Sequence, residues 1–332
     1  MRRTAHILFP GLAAAVFLLA GCGTLHRALF REEPYVEKTG RKGWHLFLHP
    51  AYKTPQLQLN YADSLLQARK TRAAMRQYLA LTVYWPESAE AGKAQYQYAK
   101  LTDRRGKPFA TFDEYQRLFD RYTGLFPYDE VLNRQFELAT NVMERKKGRF
   151  LLFGGFSAPE RAIPLFESIL TNAPQGEKAA ECQYRIGRAY ELSLQYEEAI
   201  DAYMTTQSRY LESPFAEKGS YGAAYCFYLL AQESPNNQQI LEGAWAAMTL
   251  FLNTYPSSQN AAVAMEYRKT LLRERAKLAY DKACYYDKIA RRPKAALIAY
   301  QDFVRGFPHS DWTALAQIRI DALSKIVETQ NE

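Results

Sequence analysis

An all-α array of stacked helical hairpins is the fold this sequence predicts, and three observations predict it. A motif with helical spacing recurs six times; proline and glycine collect between the helical segments; and no stretch sustains the alternation of a strand. In five of the six copies the motif closes on a proline: Pro86, Pro127, Pro174, Pro256 and Pro308, with Leu211 in that place in the fourth. Twelve residues earlier stand Ala74, Tyr115, Ala162, Ala199, Ala244 and Ala296. Eight residues earlier stand Tyr78, Phe119, Phe166, Tyr203, Met248 and Tyr300. Trp85, Phe126, Ala173, Tyr210, Tyr255 and Phe307 directly precede the closing position. Offsets of four and eight lie near one stripe of an α-helix, so each copy predicts a helix with one buried face. The small residue lets a neighbouring helix approach and the bulky one fills the space beside it. Proline then ends the helix, because it has no amide hydrogen and restricts the residue before it.

In chain order, residues 1–21 come first and read as a secretory signal. Arg2 and Arg3 precede an apolar run of 15 residues, from Ile7 to Gly21. That is short of the roughly 20 residues a helix needs to cross a bilayer, so a transmembrane anchor is the weaker reading. Leu19-Ala20-Gly21-Cys22 resembles a bacterial lipobox. The resemblance implies that Cys22 is lipidated, carrying a diacylglyceryl thioether and acyl chains such as palmitate, and becomes the mature N-terminus. Each buried methylene adds about 0.8 kcal/mol, so several chains on one cysteine hold far better than one. Gly23 follows, with no aspartate there to retain the protein in an inner membrane, so delivery to the periplasmic face of the outer membrane is expected.

Residues 22–55 are rich in charge, glycine and proline and read as the lipidated N-terminus and its tether. The repeat array follows over 56–328. Its fourth unit shows the pattern best: Ile186, Gly187 and Tyr190 mark a first helix, and Glu197-Glu198-Ala199-Ile200 opens a second. This helix–turn–helix resembles the tetratricopeptide repeat, whose period is about 34 residues. The closing positions lie 41, 47, 37, 45 and 52 apart, so every unit carries a longer helix or an inserted loop. The prediction is a tetratricopeptide-repeat solenoid of about six helical hairpins. Its largest interruption, near 145–158, joins Arg145-Lys146-Lys147 to the apolar Phe150-Leu151-Leu152-Phe153 and reads as a loop folded on the array or a finger for a partner or membrane.

Composition narrows the function. The chain has 332 residues, a formal net charge of +8 and 24 tyrosines. Its basic pairs, Arg104-Arg105 and Arg291-Arg292 among them, lie scattered along the sequence, which argues against a nucleic-acid partner and leaves room for attraction to anionic lipid. Beyond Cys22, the three cysteines Cys182, Cys226 and Cys284 cannot all pair within one chain and lack metal-site spacing. Buried free thiols are expected, with a Cys182–Cys226 bridge as the alternative. His45 and His49 are four apart, but no glutamate follows His45 and Pro50 ends the segment, so no metal is expected there. No nucleophile elbow, phosphate loop or Cys-x-x-Cys occurs, and neither an enzyme nor a cofactor is expected. Stacked hairpins offer instead a surface lined by first-helix side chains. Asp63 and Leu66 in the first unit and Tyr184, Arg188 and Glu191 in the fourth are the candidate protein-binding positions, with Arg291 and Arg292 in the last turn.

The C-terminal third carries a sharper resemblance. Thr254-Tyr255-Pro256-Ser257-Ser258 precedes a long helical stretch with Ala283-Cys284-Tyr285-Tyr286-Asp287-Lys288, then Ala295-Ala296, then Gly306-Phe307-Pro308-His309-Ser310. Over about 240–312 this is similar to the BamD family, lipoproteins of the outer-membrane β-barrel assembly machine. The resemblance implies a non-catalytic tetratricopeptide scaffold. Its implied partners are the barrel-inserting subunit, the other assembly lipoproteins and unfolded outer-membrane clients. That family folds as five repeats, whereas six copies and a longer N-terminal segment are read here. The alternative is another periplasmic tetratricopeptide lipoprotein serving cell-wall or pilus assembly, with a lipid-anchored hydrolase behind it.

Overall fold

The computed structural model describes residues 48–144 and 158–329, and the architecture lies in the unit His49–Glu332. Among the described residues there are α-helices, a 3₁₀ turn and a π turn, and no strand. The helices alternate as six hairpins. α1 (Pro55–Gln67) pairs with α2 (Thr71–Tyr84), α3 (Ala89–Asp103) with α4 (Pro108–Arg121), and α5 (Tyr128–Glu144) with α6 (Ile163–Asn172). α7 (Ala179–Leu192) pairs with α8 (Tyr196–Arg209), α9 (Pro214–Glu233) with α10 (Gln238–Thr254), and α11 (Ala261–Cys284) with α12 (Pro293–Gly306). α13 (Thr313–Thr329) packs on α12 and closes the array. Each helix packs on the next in sequence, and first helices of successive hairpins also touch, as α1 does α3 and α7 does α9. The repeat expectation holds: an all-α solenoid of six hairpins. Cys22, most of the stretch read as a tether and most of the 145–158 insertion lie outside the described residues.

The six-fold motif maps onto the second helices. Ala74, Tyr78, Ala162, Phe166, Ala199, Tyr203, Ala244, Met248, Ala296 and Tyr300 are all buried. The second copy corrects the spacing read from the sequence. There the buried pair is Thr111 and Tyr115, Phe119 is only half-buried, and α4 ends on Tyr122 rather than Phe126. Pro127 does not stop α4; its carbonyl accepts from the Val131 amide and so opens α5. Proline serves equally well just before a helix, where an amide hydrogen has no partner to lose. Gly124, at φ +81°, makes the break that Pro127 was read as making. The C-caps of the second helices are Trp85, Tyr122, Ala173, Tyr210, Tyr255 and Phe307.

The core is a chain of apolar clusters rather than one globule. One spans the first three hairpins and the near side of α7, and a second lies between α8 and α9. α11 is shared lengthwise: Ala264 and Leu271 join the cluster of α9 and α10, while Ala276 and Ala283 join that of α12 and α13.

Candidate interaction surfaces

Tyr203 organises the fourth hairpin. Its ring lies between Gly187 on α7 and Gly222 on α9, where an added Cβ would come within 2.6 and 2.7 Å of ring carbons. Only glycine lets both first helices close on that ring. Its hydroxyl donates to Glu191 Oε2 at 2.6 Å, and Glu191 is also held by Arg188. Tyr184 is packed 5.5 Å from the rings of both Tyr203 and Phe215. The three fourth-unit candidates are therefore brought together, but largely to build the contact between hairpins. The Glu191 side chain is only 10% exposed, and Arg188, at 42%, is the one left facing outward.

In the first hairpin the same economy appears. Asp63 accepts the Tyr78 hydroxyl at 2.5 Å, and Leu66 packs against the core. Burial and the neighbouring carboxylate push the Tyr78 hydroxyl well above its ordinary value. Arg291 and Arg292 are exposed in the last intra-hairpin turn, as expected. His49 is exposed and His45 lies outside the described residues; among the described residues no cluster of three metal-ligating side chains occurs. Cys182 and Cys226 sit buried in different clusters as free thiols, so the bridge considered above does not form. Burial pushes both thiols up to about 12.

Three surfaces escaped the sequence reading. A cavity of about 430 Å³ opens between α3 and α5, lined by Lys100, Asp103, Arg104, Glu130, Arg134 and Glu137. Arg134 clasps Asp103 with Nε at 2.7 Å and Nη2 at 2.9 Å, and Glu137 takes its third contact. Tyr96 donates to Glu130 at 2.6 Å and, with Lys100 nearby, holds that carboxyl below its ordinary range. The charges balance, so this cradle suits a partner presenting both signs rather than a bare anion. The second surface is a ladder of half-buried tyrosines: Tyr221, Tyr225 and Tyr228 on α9 and Tyr267 on α11. Tyr228 and Tyr267 stack at 4.4 Å, and Tyr225 lies 5.7 Å from Tyr267. Tyrosines with a buried body and a wet edge are enriched among the anchors of protein interfaces. The third is a groove of about 670 Å³ between α10 and α12, floored by α11. In it Arg275 lies 4.6 Å over Trp245, with Leu278, Ile298 and Phe303 on the walls.

Glutamines carry a second structural signal. Gln58, Gln95 and Gln183 each donate from Nε2 to the carbonyl 19 residues on, in the second helix of the same hairpin. Gln58 and Gln95 also hold the side chain there, Gln77 and Glu114. Those glutamines are the rungs that tie first helix to second, and their constant offset is visible in the sequence once the hairpins are known.

A family model falls on the half of the array that carries the ladder and the groove. Residues 176–330 match the family model YfiO, outer membrane lipoprotein. The match runs from the approach to α7 through α13 and covers a little under half of the chain. No curated protein matches. Among solved structures, the C-terminal part of a TPR repeat-containing protein from Cytophaga hutchinsonii is 18% identical, with 80% of this chain and 88% of that chain covered and a TM-score of 0.31. A tetratricopeptide repeat protein from Parabacteroides merdae is 14% identical, with 81% and 98% covered and a TM-score of 0.29. The protein is thus a helical-repeat chain whose C-terminal half is similar to outer membrane lipoproteins. Among its described residues no helix is long and apolar enough to cross a membrane.

Proposed function

We propose that this protein is a non-catalytic scaffold, anchored to the outer membrane through Cys22, that serves β-barrel protein assembly. The observation that carries the proposal is the coincidence of the lipoprotein match at 176–330 with the hairpins that bear the tyrosine ladder and the open groove. In this reading α9 to α13 dock the barrel-inserting subunit and the other assembly lipoproteins. The first-helix face, with Arg188 and the Lys100–Arg134 cradle, takes unfolded client segments. The mechanism is binding alone: polar cradles set register and half-buried aromatics supply affinity.

Affinity purification of the lipidated chain from native membranes tests it. The barrel-inserting subunit is expected to come down with it. Recovery of cell-wall or pilus assembly proteins in its place would favour the alternative tetratricopeptide lipoprotein. The anchor is tested separately. Cys22→Ser cannot form the thioether and is expected to leave the chain soluble or as an uncleaved precursor, read by membrane fractionation and mass spectrometry. An acylated, membrane-bound Cys22→Ser chain would disprove the anchor.

A further inference from the structure

The turn between α11 and α12 differs from every other described turn. α11 runs into a π turn, Tyr285–Ile289, in which the Ala290 amide donates to the Tyr285 carbonyl at 2.9 Å and the Arg292 amide to Tyr286 at 2.9 Å. The wide turn throws Ile289 outward, 71% exposed, beside Tyr285 at 55%. Around this apolar tip stand Lys288, Arg291, Arg292 and Lys294, all exposed. Its one acid faces the other way. The Asp287 side chain is only 7% exposed and is clasped by Arg319 of α13, with Nε at 2.9 Å and Nη2 at 2.8 Å. The Tyr300 hydroxyl lies a further 3.4 Å from Asp287, so the turn is clamped from beneath by two helices. Lys288, Arg291 and Arg292 form no ion pair among the described residues.

We infer that this turn is a membrane-touching tip, in which Ile289 and Tyr285 enter the headgroup region while the surrounding cations meet anionic phospholipid. Charge and apolarity point to the same occupant. Cations alone would suit an acidic protein, but a bare isoleucine among them finds its match where phosphate lies directly above hydrocarbon. Other exposed apolar tips lack the collar: Leu194 lies between Ser193 and Gln195, and Leu211 lies beside Glu212. The inference rests on the reading that the chain is held at a membrane, to which this turn would add a second contact.

The test uses the mature chain bearing Cys22→Ser, so that no acyl anchor contributes, and vesicles of phosphatidylcholine with or without phosphatidylglycerol. Co-sedimentation is expected only with the anionic vesicles. A cation near such a surface is worth about 1 kcal/mol, or about fivefold, so Arg291→Glu with Arg292→Glu should weaken binding by about 25-fold or more. Ile289→Ala should weaken it by about tenfold without changing charge. A control pair, Arg121→Glu with Arg209→Glu, makes the same charge change at the ends of α4 and α8 and should leave binding within about twofold. Circular dichroism verifies that each variant is folded. Equal loss in both pairs, or no effect of Ile289→Ala, would overturn the inference and leave only net charge. A wild-type chain that ignores anionic vesicles would overturn it too, and loss of partner capture in Arg291→Glu/Arg292→Glu would then reassign the turn to a protein. Because vesicle binding is measured without anchor or partner, its failure is distinct from failure of the scaffold reading.

Discussion

At the scale of single residues, glycines decide how closely hairpins approach. Gly187→Ala and Gly222→Ala each drive a methyl into the Tyr203 ring and should cost about 1–3 kcal/mol in denaturant unfolding. Gly243, inside α10, has nothing within 4 Å of its missing Cβ, so Gly243→Ala should stabilise by about 0.5–1 kcal/mol. Equal effects at the three sites would contradict the packing described. Gly187 was legible as part of the repeat; Gly222 was not, because it serves the preceding hairpin's tyrosine and belongs to no local pattern. Asp63 and Glu191 were legible as first-helix positions but not as half-buried acceptors, since nothing local shows which tyrosine will reach them. The thiols yield a pH dependence. Cys182 and Cys226 titrate near 12 in the fold against an ordinary value of 9. A raised value means their contribution is intact below about pH 9 and is lost as pH rises toward 12. Denaturation midpoints should fall over that window, and less steeply in Cys182→Ala/Cys226→Ala than in the wild type.

At the scale of elements, the small residue of each second helix is the sensitive point. Ala199 is fully buried against its neighbours, so Ala199→Trp should cost about 1–3 kcal/mol by overpacking. Gln195, in the preceding turn, makes no side-chain cap, and Gln195→Ala should cost under about 0.5 kcal/mol. Indistinguishable melts for the two variants would refute the register assigned to α8. Four of the six second helices were readable because the buried stripe and the terminating proline agreed, and α8, with Leu211 in the proline's place, from the stripe alone. In α4 they disagreed: the stripe ran through Thr111 and Tyr115 while the proline belonged to the next helix. Burial decides register and proline only marks a boundary, so the stripe was the better guide there. The π turn after α11 carried no sequence signal, as its cause lies in distant groups, Arg319 and Tyr300 drawing Asp287 inward.

At the scale of the whole molecule, the apolar clusters are linked in series, and stability should be shared only between neighbours. Calorimetric unfolding enthalpy should therefore exceed the van't Hoff value, and amides of α13, which exposes Leu315, Ile318 and Ile326, should exchange before those of α8. A single two-state transition with uniform protection would count against this arrangement. The solenoid itself was legible from six weakly similar motifs, because periodicity survives where sequence does not. The interaction surfaces were not, since the tyrosine ladder and the Arg134–Asp103 clasp join residues about one hairpin apart.

The uneven intervals have a further consequence. Second-helix C-caps at 85, 122, 173, 210, 255 and 307 are separated by 37, 51, 37, 45 and 52 residues. An array of interchangeable units can slide by one unit or trade a hairpin with another molecule, because every wrong pairing imitates the right one. Here a slipped hairpin would meet a neighbour of another length, and Tyr203 would find its two glycines missing. Irregularity thus acts as an address: each hairpin recognises one place in the stack, and runaway exchange between crowded copies on a surface has nothing to propagate through.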